Sequence, residues 1–514
     1  MCRQHPEDDR SPHQRWATST EKQVMITDEE LDQALGIISM SDDQGDEDEN
    51  DASELLSLSE QRIDSLYSQA DQLLADLYRA LHTSFDSDDD SDSNTETDID
   101  AYSSTLRRLK QRDPTLRTLE IYNPMEWDMD RWRRRNGDGS IRVDEFALAK
   151  SIVDLLYEAE QSLHITRLDW NTIRLDNPLL LTSIIRLLHS KNREWERISM
   201  DECEGITPEL LQAIGTARVK TLHLWHNRLS SDLMMELGNL FVSSSSLTEI
   251  RFADLIRPRG MACFSKGLLR TTRLRNLDLT GCVCSEKGQV VKWLGLGLQG
   301  NESLRLLNLS RWDLPDENLE EVIASITQHR SLTWLDVSNN TCGPTSSAAL
   351  SRLLEASQSL AGLTLTGCGI IDEVFVSILG ALKRNSSIQH LHLGENAIAD
   401  DGIRQLSAVL KECSSLRTLW LSENSFGTDG CESLLKAVQE NLHLEQIIMD
   451  RHLPYFDQIQ YWLTLNRAGR KMLKAKDTPL GIWPRILGKA TAQADVFYFY
   501  LHTPNLLDAI KGDI

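Results

Sequence analysis

The chain has 514 residues, is 40% hydrophobic and carries a formal net charge of −24 at pH 7, which allows several domains or one long solenoid. Nearly all of that charge lies in residues 1–100, which hold 28 Asp+Glu against 6 Lys+Arg; the nearly neutral remainder lacks the clustered positive charge of a nucleic-acid surface. No apolar run approaches the ~20 residues of a membrane helix, the opening MCRQHPEDDRSPHQRW has no secretory pattern, and nine cysteines without a paired framework point to an intracellular site, cytoplasmic or nuclear.

In chain order, residues 1–100 read as a mostly disordered acidic tail. SDDQGDEDENDAS and SFDSDDDSDSNTETDID bury too little apolar surface to offset chain entropy. Ser87, Ser93 and Thr95 each have an acid three residues on, a pattern that suits acidophilic kinases. Two helical islands interrupt the tail. Over 27–38, Thr27 and Glu30 stand in capping-box spacing, with Leu31, Leu35 and Ile38 on one face. Over 59–82, Ile63, Leu66, Ala70, Leu73 and Leu77 form a short coiled-coil-like stripe. That stripe either packs on the protein's own body or serves as a partner or self-association helix.

Residues 101–450 hold an internal repeat. LTWLDVSNNTC, LAGLTLTGCGI, IQHLHLGENAI and LRTLWLSENSF align with their central apolar residues at Leu335, Leu363, Leu391 and Leu419, and Ile447 follows. These steps are 28 residues each. Earlier copies centre on Leu307, Leu277, Ile250, Leu222, Ile198 and Leu168 at steps of 24–30, with a looser first copy at Leu119, making about twelve repeats. One such unit cannot bury its apolar face alone, but stacked units share a continuous core.

LxxLxLxxN followed by a helical stretch at this period resembles the ribonuclease-inhibitor type of leucine-rich repeat, over roughly two thirds of the chain. The resemblance implies an α/β solenoid, a horseshoe with a parallel sheet on the concave face and helices such as 346–357 and 400–412 on the convex face. Asn227, Asn340, Asn396 and Asn424 share one turn position with Cys203, Cys282 and Cys368. The resemblance implies that these side chains are buried against turn backbone. Cys282 and Cys284 then read as an inward-facing structural pair, not a metal clip.

The step from Leu119 to Leu168 is 49 residues, so an insertion occupies about 123–145. It contains NGDGSIRVDEF, similar to the second half of an EF-hand calcium loop. Gly139 falls on the glycine position, but Arg134 stands where the first carboxylate belongs and Arg142 adds a second cation. Asn136-Gly137-Asp138-Gly139 therefore reads as a turn leading into a convex helix over 144–161, and no calcium is expected.

Catalytic constellations are missing. There is no GxxxxGK[ST] phosphate loop, no HExxH and no GxSxG. The missing phosphate loop also counts against a NOD-like receptor, and no cofactor is implied. His390 and His392 face the same way on one strand but have no good third ligand among Gly362, Thr364, Thr418 and Trp420. Residues 451–514 leave the repeat and read as three short, mildly basic helices, either a cap on the last repeat or a docking segment. They resemble a C-terminal segment of uncharacterised algal leucine-rich-repeat proteins. Thr464–Gly469 is faintly similar to the elongin-binding motif of ubiquitin-ligase receptors, with Gly469 in place of its cysteine.

Strand alternation fixes the outward residues of the sheet. The central column runs Asp169, Ser199, His223, Arg251, Asp278, Asn308, Asp336, Thr364, His392, Trp420; the columns beside it include Leu306, Trp334, Gly362 and His390, and Trp225. Outward tryptophans are costly unless covered, either by the chain's own tail or by a partner, and Trp is enriched at binding hot spots. Trp334 stands between Leu306 and Gly362, which suggests a socket beside it. The expectation is a non-enzymatic scaffold that binds a protein partner on its concave face. Trp334 and Trp420 would be its anchors, Leu306 and Trp225 apolar flanks, and Asp278, Asp336, Arg251 and His392 the source of polar specificity. Neither nucleic acid nor membrane is expected as a partner. The alternatives are a ubiquitin-ligase substrate receptor using the C-terminal segment, or a Ran-type GTPase-activating protein, whose acidic tail follows its repeats instead of preceding them.

Overall fold

The computed structural model describes residues 61–73 and 75, 104–111, 115–122, 145–158, 165–190 and 194–471. Twelve parallel strands form one sheet: β1 (Thr118–Tyr122), β2 (Arg167–Asn171), β3 (Trp195–Asp201), β4 (Val219–Trp225), β5 (Glu249–Ala253), β7 (Asn276–Asp278), β9 (Leu306–Asn308), β10 (Trp334–Asp336), β11 (Gly362–Thr364), β12 (His390–His392), β13 (Thr418–Trp420) and β14 (Gln446–Ile448). β6 (Leu255–Ile256) and β8 (Val283–Cys284) pair separately on the turn side. A helix connects each sheet strand to the next. This is a leucine-rich-repeat solenoid.

The register is the one the period dictates. Leu119, Leu168, Ile198, Leu222, Ile250, Leu277, Leu307, Leu335, Leu363, Leu391, Leu419 and Ile447 stand opposite one another across the whole sheet. All are buried. Helices fill the other side of the same core: Pro344–Ala356 buries Leu350, Leu353 and Leu354, and Asp400–Leu410 buries Ile403, Leu406 and Leu410. Each such side chain contributes about 1.5–3 kcal/mol by leaving water. Helices Ser231–Ser243 and Pro258–Arg270 meet backbone to backbone, since a Cβ on Gly267 would lie 2.1 Å from the Gly238 carbonyl oxygen.

Stacking repeats leaves turn carbonyls and N–H groups in a dry interior, and each must be paired. The asparagines do this. Asn396 Nδ2 donates to the carbonyls of Leu365, Leu393 and Gly394, and its Oδ1 accepts from Cys368 N and Ile370 N. Asn340 and Asn424 repeat the pattern. Cys203, Cys282 and Cys368 at the same position donate Sγ–H to the carbonyls of Trp170, Phe252 and Val337. Cys282 and Cys284 are both buried, while Val283 between them is exposed.

A second ladder runs through the helix ends. Asp316, at the start of one helix, accepts from Gly343 N, Thr345 N and Ser346 N at the start of the next. Asp400 likewise accepts from Gly427 N and Gly430 N, and Asp372 from Ala399 N. One carboxylate thus caps the neighbouring repeat's helix, where the unpaired N–H groups and the positive end of the dipole lie.

Both ends of the described solenoid are covered. The helix over 61–73 packs Ala70 and Tyr67 into the core, with Ile63, Leu66 and Leu73 against it, so this stripe lies on the protein's own body. Leu77 falls outside the described residues. At the other end, helix Phe456–Arg467 buries Ile459, Leu463 and Leu465. Asn466 donates to the Asn441 and Leu444 carbonyls, and the buried Arg470 donates to the Val438 and Gln439 carbonyls while its guanidinium lies 4.5 Å from the Trp462 ring centroid. The convex helix expected over 144–161 is present as Glu145–Glu158. The EF-like turn, the 27–38 island, the acidic runs with Ser87, Ser93 and Thr95, and residues 472–514 lie outside the described residues.

Candidate partner-binding face

On strands β10–β13, alternation turns Trp334, Asp336, His390, His392, Thr418 and Trp420 outward around the central leucines. Trp334 is paired with Leu306 on one side and Gly362 on the other. The gap expected beside Trp334 is filled by its own indole: a Cβ on Gly362 would lie 2.2 Å from Trp334 Cε3. Lying across Gly362, the indole reaches the next strand. Its centroid is 5.7 Å from that of His390 at 30°, and 5.7 Å from that of His392 at 72°. His392 then meets Trp420 edge-on at 5.5 Å. Two tryptophans and two histidines therefore form one half-buried aromatic surface, in the near-stacked and edge-to-face geometries that ring quadrupoles favour. Burial pushes the His392 imidazole below its ordinary pKa, His390 adds to this, and Asp336 opposes it.

The other end of the face is built from charge. Glu249 on β5 stands 3.9 Å from His223 Nε2, and accepts from Asn276 Nδ2 at 3.1 Å and from Arg251 Nε at 2.6 Å. Arg251 Nε lies 4.0 Å from Asp278 Oδ2. The imidazole of His223, then Asn276 and Arg251, hold the Glu249 carboxyl down to about 2, against the burial that would raise it. Trp225 meets His223 edge-on at 6.3 Å. Further along, Arg197 grips Asp169 through two bonds, and Arg167 grips Glu196 the same way. Such forked pairs fix side-chain direction.

The expected site residues thus fall into two groups. Trp334, Trp420, His392 and Leu306 belong to the aromatic end, with Asp336 two strands from His392. Arg251, Asp278 and Trp225 belong to the charged end. Glu249, the centre of that end, and Asn276 were not among the site residues expected from the sequence. Their signal was present in the outward column one position before the central residues. Among the described residues no group of three His, Cys, Asp or Glu is placed to hold a metal ion, and no helix is long and apolar enough to cross a membrane. Three buried thiols are poor nucleophiles: burial pushes Cys284 and Cys368 up to about 12 and Cys342 to about 11. Within the elongin-like stretch, Leu465 and Asn466 are buried against the last repeat.

No family model matches the chain. It is 31% identical over 172 residues to NACHT, LRR and PYD domains-containing protein 13 of Homo sapiens, covering 33% of this chain and 16% of that protein. It is 24% identical over 202 residues to Protein TORNADO 1 of Arabidopsis thaliana, covering 37% and 14%. The chain spans about one sixth of the length of the curated relatives it matches. Among solved structures, an internalin from Listeria monocytogenes aligns with a TM-score of 0.36 at 14% identity, over 64% of this chain and 91% of that one. The tropomodulin C-terminal domain of Caenorhabditis elegans aligns with a TM-score of 0.26 at 15% identity, over 30% and 95%.

Proposed function

We propose that the protein is a non-enzymatic interaction scaffold of the ribonuclease-inhibitor type, working in the reducing interior of the cell. Its concave face captures a protein partner, anchored on Trp334 and Trp420 with Leu306 and Trp225 beside them. Asp278, Asp336, Arg251 and His392 set the polar specificity. The observation that carries this reading is the half-buried Trp334–His390–His392–Trp420 surface. It places two indoles with exposed area on a rigid sheet, the arrangement that hot spots use. The subtype rests on the 28-residue period, one helix per repeat and the shared Asn/Cys turn position. Residues 451–471 act as a cap on the last repeat.

The test is affinity capture from cell extract with the intact chain and with a Trp334→Ala, Trp420→Ala variant of unchanged circular dichroism. A partner held by the intact chain and lost by the variant supports the reading. Equal capture by both removes the anchors from it.

A further inference from the structure

We infer that the aromatic end of the concave face receives an arginine or lysine side chain from an extended basic segment of the partner, seated against the Trp334 and Trp420 indoles with its charge on Asp336. This rests on the reading of the concave face as the binding surface and adds the chemistry of the occupant.

The first support is charge. Among the described residues, the outward positions of β9–β14 carry Asp336 and no Lys or Arg, while Asp278 on β7 lies 4.0 Å from Arg251. Every outward arginine of the sheet lies on β2, β3 or β5, and each is engaged there by Glu196, Asp169 or Glu249. A face with indoles and carboxylates and no cation complements a cation, because an indole face attracts positive charge and a carboxylate supplies the counter-charge.

The second support is how Asp336 is held. Its Oδ1 accepts from Ser338 N at 3.0 Å and from Ser338 Oγ at 2.7 Å. No hydrogen bond among the described residues uses its Oδ2. Asp278 is fixed in the same way by Thr280. Asn308, between them in the column, uses its Oδ1 for Ser310 N at 2.9 Å. The strand therefore needs one side-chain oxygen at this position and no charge, which leaves the second oxygen and the charge for a ligand. Asp336→Asn then tests the charge alone, since Asn308 shows that an amide makes the same backbone bond.

The experiment is a random decapeptide library on beads, probed with fluorescent full-length protein at pH 7.5. The expected result is enrichment of Arg- and Lys-containing peptides, with binding at least roughly tenfold weaker for Asp336→Asn. Enrichment of acidic or uncharged peptides whose binding needs Trp334 and Trp420 would overturn the cationic occupant and leave the concave-face reading standing. So would basic peptides indifferent to Asp336→Asn. Binding indifferent to both tryptophans would overturn both.

Discussion

The two ends of one sheet solve the same packing problem and present different chemistry. β2–β5 run for five to seven residues each, whereas β7 and β9–β14 run for three. In β7, β9 and β10 the N–H of Thr280, Ser310 and Ser338 is taken by the side chain two residues before it. At the corresponding places in β2–β4, Asn171, Asp201 and Trp225 stay in the ladder. The longer strands carry arginines already matched by acids. The shorter strands carry aromatic rings and an unmatched acid. Ion pairs that neutralise each other hold a surface in shape, while unsatisfied charge and half-exposed indoles leave binding energy for a partner.

The largest expected effect distinguishes the two residue types that share the turn position beneath the sheet. Asn396→Ala removes five hydrogen bonds, leaving the Leu365 carbonyl and the N–H groups of Cys368 and Ile370 unpaired while Leu393 and Gly394 keep Asn424 and Gly367 as donors, and should cost roughly 3–5 kcal/mol. Cys203→Ala in the longer-strand half removes only weak Sγ–H bonds and some packing, and should cost about 1–2 kcal/mol. Urea unfolding measures both, and equal losses would break the distinction. Next, Gly362→Ala drives a methyl into the Trp334 indole and should cost about 1–3 kcal/mol, with the tryptophan emission shifting as the ring leaves its histidines.

Glu249→Gln sharpens the contrast through pH. The Glu249 carboxyl lies at about 2 in the folded chain against an ordinary 4.5. A depressed carboxyl contributes stability above its unfolded pKa and loses it as pH falls toward the folded value. Partial solvent screening reduces the contribution to about 1–2 kcal/mol. The gap between wild type and variant should be full at pH 6 and close between about 4.5 and 2; a gap constant across that range would contradict the network. The smallest effect belongs to Arg197→Ala, which breaks a partly exposed pair and should cost at most about 1 kcal/mol, less in high salt.

The fold was legible because the repeat imposes it. Once Leu335, Leu363, Leu391 and Leu419 share a 28-residue step, the register and outward columns follow, and the Asn/Cys turn position falls into place with them. Features that cross between repeats were less legible. Asp316, Asp372 and Asp400 cap helices some 28 residues away, where a capping motif is sought three residues on. The direction of the Trp334 indole depends on the missing Cβ at Gly362, one strand over, and this joins a histidine pair and two tryptophans into one surface. Glu249 is an ordinary exposed acid in the sequence and becomes a centre only when His223 and Asn276 arrive from neighbouring strands to join Arg251 on its own. Within Thr464–Gly469, Leu465 fills the core and Asn466 pairs the carbonyls of the last repeat, contacts that no periodic pattern announces.

The most direct measurement compares two double variants against one captured partner by calorimetry, Trp334→Ala with Trp420→Ala at the aromatic end and Trp225→Ala with Arg251→Ala at the charged end. The account predicts a loss of at least roughly a hundredfold in affinity for the first, and about tenfold or less, growing at low salt, for the second. A larger loss at the charged end would contradict it and move the anchor to β4 and β5.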